Sequence, residues 1–244
     1  MLVGAAVLPT APLLVPGVSA TLPDGIPKVC DAVDAAVEAL PASDVVVIVA
    51  AGDGGLHDTH DATLGGIGRS DIAVDAAIDS QAVSRLAAAT QYPMLKGHTL
   101  PLGLTVLALH LGDAQGLVPM TVPASAEFDA LVGLGASIAR SFADPDLRAT
   151  VVVAGDLSSG LTEKSPMHRV EGAMFWDEQA VAAVDSGRLE ALARLGPSEA
   201  KRVGALGWAP LAVLHGAAAT AKIGMVVRHY SAPRGVGYLV ANGG

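Results

Sequence analysis

Two short segments concentrate the side chains able to do chemistry. The first reads Gly52-Asp53-Gly54-Gly55-Leu56-His57-Asp58-Thr59-His60-Asp61. Its His-x-x-His pair, His57 and His60, stands among Asp53, Asp58 and Asp61, and imidazoles beside carboxylates are what Fe(II), Zn(II) or Mn(II) accept. Two solvated histidines in a polar loop meet the same description without a metal. The second segment reads Gly155-Asp156-Leu157-Ser158-Ser159-Gly160 and follows an all-apolar run. It falls one residue type short of the Gly-x-Ser-x-Gly nucleophile elbow, because Asp156 stands where glycine is required and no helix pattern begins after Ser158. A serine hydrolase at Ser158 is thus an alternative, with Asp156 and Ser159 beside it.

The remaining histidines, His98, His110, His168, His215 and His229, are isolated in sequence and read as hydrogen-bonded core or surface groups. Gly52-Asp53-Gly54-Gly55 does not fit Gly-x-Gly-x-x-Gly, and no Gly-Lys-Ser/Thr occurs, so nucleotide binding has no support.

Both segments need strands to position them. Val45 to Val49 is an unbroken β-branched run within a strand expected over 44–51, and Ala149 to Ala154 reads as a second central strand. Strands this apolar sit centrally, covered on both faces, and ligands of α/β sheets bind beyond their C-terminal ends. A first strand is expected over 2–8, a further one over 116–122, and two closing strands over 223–230 and 235–240 as a hairpin. Helices are expected over 26–40, 80–90 and 125–142, and through most of 171–220. Residues 52–70 read as one long polar loop, and 100–111 as a strand or buried segment. Alternation of such runs predicts a single α/β domain over 1–244, with a mostly parallel or mixed sheet flanked by helices.

Composition excludes several partners. The 24 Asp and Glu outnumber the 15 Lys and Arg, for a net charge of -9, which leaves no footprint for a phosphate backbone. Aromatic residues at 3% make stacking platforms scarce. The uncharged start lacks a basic flank and is broken by Pro9, Pro12 and Pro16, unlike an export signal. The uncharged run 203–221 is interrupted by Gly204, Gly207, Pro210 and Gly216 and reads as a buried soluble helix rather than a membrane span. The single Cys30 shares a helical stripe with Val29, Val33 and Val37, and a reduced, cytoplasmic setting fits.

The chain resembles the class III extradiol dioxygenases, the superfamily of the catalytic β subunit of protocatechuate 4,5-dioxygenase and of the Memo-like proteins. Leu8-Pro9-Thr10-Ala11-Pro12-Leu13-Leu14 is similar to the opening Pro-His-x-Pro-Leu-Leu of that family, with Thr10 where the first iron-binding histidine stands. Val47-Ile48-Val49-Ala50-Ala51-Gly52-Asp53-Gly54 resembles the second family strand, with Gly54 at the second histidine and His57 nearby. Val153-Ala154-Gly155-Asp156-Leu157-Ser158-Ser159 resembles Gly-Asp-Leu-Ser-His, with Ser159 for the acid/base histidine. Around Gly204 to Pro210 no carboxylate stands for the family's glutamate ligand. Phe175-Trp176-Asp177 and the run from Tyr230 to Tyr238 look like scaffold features of bacterial members.

The resemblance implies Fe(II) and catechol ring cleavage, which need two histidines and one carboxylate on the metal. Its alternatives are a rebuilt site on His57 and His60, or no cofactor and a non-catalytic cleft that binds a small molecule or a protein. In that cleft Thr10, Asp53, Asp156, Ser158 and Ser159 act as hydrogen-bonding groups. A homodimer or monomer is expected. The resemblance and the strand directions together predict that Thr10, Gly54 or His57, and Ser159 share one cleft at the C-terminal ends of the central strands.

Overall fold

The structure, a computed structural model, describes residues 1–114 and 116–244. Its centre is a mixed sheet of eight strands among the described residues. Four of them, β1 (Leu2–Leu8), β2 (Val45–Ala51), β7 (Leu117–Val122) and β8 (Ala149–Ala154), run parallel and adjacent in the order β7-β2-β8-β1. Their C-terminal ends therefore open on one edge. Beyond β7 lie β3 (Gly55–His57) and β6 (Met94–Leu95). Beyond β1 lie β10 (Tyr238–Gly243) and β9 (Val226–Ser231), the expected closing hairpin.

The central strands are almost wholly apolar because both faces are covered, with Thr121 and Thr150 their buried polar side chains. Alternate residues divide the core: Val47, Val49, Val151 and Val153 face α2 (Ser80–Thr90), α4 (Phe128–Ser141), α5 (Ala173–Asp185) and α7 (Trp208–Ala221). Ile48, Ala50, Val152 and Ala154 face α1 (Ile26–Glu38) and α3 (Leu102–Leu111). A last helix, α6 (Leu192–Val203), is kinked at Gly196 and turns through Gly204 into α7. Among the described residues no helix is long and apolar enough to cross a membrane.

Two expectations change. Residues 52–70 do not form one loop: they contain β3, then β4 (Asp61–Leu64), which pairs with β5 (Arg69–Asp75) as a separate hairpin. Residues 102–111 are helical. The periodicity of α3 is invisible because the helix is apolar all round, packed on the sheet through Leu104, Leu107 and Ala108 and under Val15 and Leu64 through Val106.

α4 and α7 cross at two glycines. A Cβ at Gly135 would stand 1.9 Å from Val213 O, and one at Gly216 would stand 1.9 Å from Val132 O. The backbones touch because these residues lack side chains. Gly133, on the same helix, faces open space. Gly216→Ala should therefore destabilise the fold by about 1–3 kcal/mol despite the better helix propensity of alanine. Gly133→Ala should stabilise it by roughly 0.5–1 kcal/mol. Urea unfolding of the two variants, read by circular dichroism, checks the opposite signs.

Candidate functional site at the C-terminal edge of the sheet

Chain leaving β1 and chain leaving β8 are tied together by one carboxylate. Asp156 accepts the Thr10 backbone N–H at 2.8 Å and also the Thr10 hydroxyl. Backbone bonds reinforce the junction: Gly155 N–H donates to Leu8 O at 2.8 Å, and Gly207 N–H to Asp156 O at 2.7 Å. Burial pushes the Asp156 carboxyl up, and the two bonds from Thr10 oppose that shift. Tyr238 is pushed up to about 12, first by its own burial and then by the nearby Asp156.

Ser159 is held in the same way by the turn between α6 and α7. Its N–H donates to Val203 O at 2.9 Å and its hydroxyl to Gly204 O at 3.2 Å. Gly204 takes a left-handed conformation, and any side chain there would strike the Ser159 hydroxyl. Ser158 is fully buried, with its N–H donating to Asp177 at 2.9 Å and its hydroxyl unpartnered among the described residues. Asp177 also accepts Tyr230 OH at 2.7 Å, and burial pushes its carboxyl up against those bonds. No histidine reaches Ser158, so the elbow reading has no general base here.

His57 and His60 point to different places. His57 ends β3, buried, with Nε2 3.2 Å from the Thr121 hydroxyl. Burial lowers its pKa, and the field of Asp53 partly opposes this. His60 stands by the β4–β5 hairpin, with Nδ1 3.0 Å from Ala76 O and 3.9 Å from Asp75. Among the described residues no three His, Cys, Asp or Glu gather to hold a metal ion. The three positions that the resemblance assigns to iron chemistry supply a hydroxyl bonded to Asp156, a glycine, and a hydroxyl bonded to a carbonyl. That donor set does not fit a two-histidine, one-carboxylate centre. Gly54 cannot readily carry a ligand either: its φ is +86°, and a Cβ would lie 2.8 Å from Pro123.

Thr10 and Ser159 thus lie on the expected edge, but neither they nor Gly54 nor His57 line the cleft found there. That cleft, about 780 Å³, opens over the ends of β2 and β7. Gly52 and Asp53, which directly follow β2, and Pro123, Ser125 and Glu127 from the β7–α4 connection form one side. Ser198 and Lys201 of α6, with Gly204, Ala205 and Leu206 of the following turn, form the other. Asp53 was legible as a cleft residue. Ser125, Glu127, Ser198 and Lys201 were not, although the polar stretch after the expected strand 116–122 was an available signal for the first two.

Outside the cleft, one histidine expected as a hydrogen-bonded core or surface group lies in the interior with a ring nitrogen short of a partner among the described residues. His110, on α3, is buried with Nε2 unpartnered among the described residues, and burial lowers its pKa to about 4 against weaker contributions from Pro9 O and Asp34. The unfolded chain protonates near 6.5 while the fold resists, so stability falls as pH drops from about 6.5 to 4. At pH 4.5 the loss from this group is about 2–3 kcal/mol. His110→Asn should flatten that part of the curve, as measured by urea unfolding at pH 7 and 4.5.

No family model matches the chain, and no curated protein does. Its fold is similar to the crystal structure of an uncharacterised protein from Escherichia coli K12. The match covers 99% of each chain at a TM-score of 0.64 and 14% sequence identity. At that identity the likeness establishes a shared fold.

The junction at Asp156 gives its own test. Thr10→Val removes one donor from a buried carboxylate and should cost about 1–3 kcal/mol, whereas Thr10→Ser should stay near the parent. Thermal denaturation of both variants measures the difference.

Proposed function

We propose that this protein is a small-molecule-binding member of the class III extradiol dioxygenase-like superfamily that has given up the superfamily's iron chemistry. One observation carries the reading. At the edge where the resemblance puts the iron, the Thr10 and Ser159 hydroxyls are both engaged in bonds that fasten the fold, while a separate cleft stands open one strand away. A metal site needs ligands free to turn their lone pairs inward, and these hydroxyls are committed elsewhere. The cleft has the size of drug-sized ligand sites, about 300–1,000 Å³, and lies where open α/β sheets take ligands.

The binding reading is preferred to a site rebuilt on His57 and His60, because the two imidazoles have different partners on different elements. It is preferred to hydrolysis at Ser158, because that hydroxyl is sealed from solvent.

Protein purified without a histidine tag should carry no stoichiometric iron, manganese or zinc. Anaerobic addition of Fe(II) should leave its melting temperature unchanged within about 1 °C, since a metal bound only by the folded state would raise it. One equivalent of retained iron, together with oxygen uptake on adding protocatechuate, would overturn the proposal.

A further inference from the structure

We propose, resting on the cleft being the ligand site, that its ligand is an elongated zwitterion, of which a short peptide with free ends is the plainest class. The cleft separates its charges. Asp53 and Glu127 stand on the side built from β2 and β7, and Lys201 stands on the α6 side. Neither Glu127 nor Lys201 has an ion-pair partner within 4 Å among the described residues, although both line one cleft. The neighbouring Arg202, by contrast, is paired with Glu199 at 2.7 Å and does not line the cleft. No ion pair therefore joins Lys201 to Asp53 or Glu127 across the cleft among the described residues. A ligand with a cationic nitrogen at one end and an anionic group at the other satisfies both walls at once.

Other classes fit less well. Two carboxylates against one ammonium oppose a polyphosphate or nucleotide. No aromatic side chain lines the cleft, so a planar ring finds no stacking surface. Small residues form the lining beneath the charges, Gly52, Gly204 and Ala205 among them, which lets an extended backbone approach closely. The volume is too large for one amino acid to fill and suits a chain of several bonds between its charged ends.

The experiment titrates trialanine, its N-acetylated form and its C-terminal amide into the full protein. Amide resonances of Gly52, Gly204 and Ala205 are followed by NMR, with Glu127→Gln and Lys201→Gln as variants. Trialanine should shift those resonances saturably, and each blocked form should bind about three- to ten-fold more weakly. Lys201→Gln should weaken trialanine by about the same factor and leave the amide unaffected, while Glu127→Gln should do the converse with the acetylated form. Equal binding of free and blocked peptides overturns the proposal, as does absence of any saturable shift. In the latter case putrescine and benzoate are titrated in turn. Saturable shifts at the same amides then retain the cleft as a binding site and remove only the ligand class, whereas silence with every probe removes both.

Discussion

The carboxylate of Asp156 sets what the rest of this edge can do. Buried where β1 and β8 end, it is too costly to leave without donors, and Thr10 supplies two of them from one residue. The backbone of Asp156 in turn receives Gly207, which seats the start of α7 on the end of β8. Once that contact exists, the turn at Gly204 falls against Ser159, and the edge over β1 and β8 is closed. The remaining opening lies over β2 and β7, bounded by the same turn. The turn at Gly204 thus borders both the cleft and the contact that covers Ser159.

Burial governs legibility here. β1, β2 and β8 were readable because a strand covered on both faces has no choice but to be apolar, and runs such as Val45 to Val49 admit few other readings. The same saturation hid α3. A helix sandwiched between the sheet and a hairpin loses the polar face from which helical periodicity is recognised. The β3–β5 region failed for the opposite reason: its strands are short, rich in Gly and Asp, and half exposed, so loop composition and strand composition coincide.

Asp53 and Asp156 could be singled out because each directly follows a legible strand. Glu127 and Lys201 could not be associated in sequence, since only the kink at Gly196 and the turn at Gly204 bring α6 across to face the β7–α4 connection. Thr10 and Ser159 could be placed on one edge of the sheet from the strands that precede them. Their hydroxyl partners, Asp156 and Gly204 O, depend on side-chain positions that spacing does not encode.

The position of β1 carries a consequence for the order of assembly. Its seven residues pair with β8 on one side and with β10 on the other. Both partners lie more than a hundred residues away in the sequence, so β1 is secured only by contacts of long range, which form slowly. Until they form, Leu2 to Leu8 is an unpaired, uncharged template for strand addition. The strand that positions Thr10 is thus also the segment whose protection from pairing with other molecules depends on complete folding.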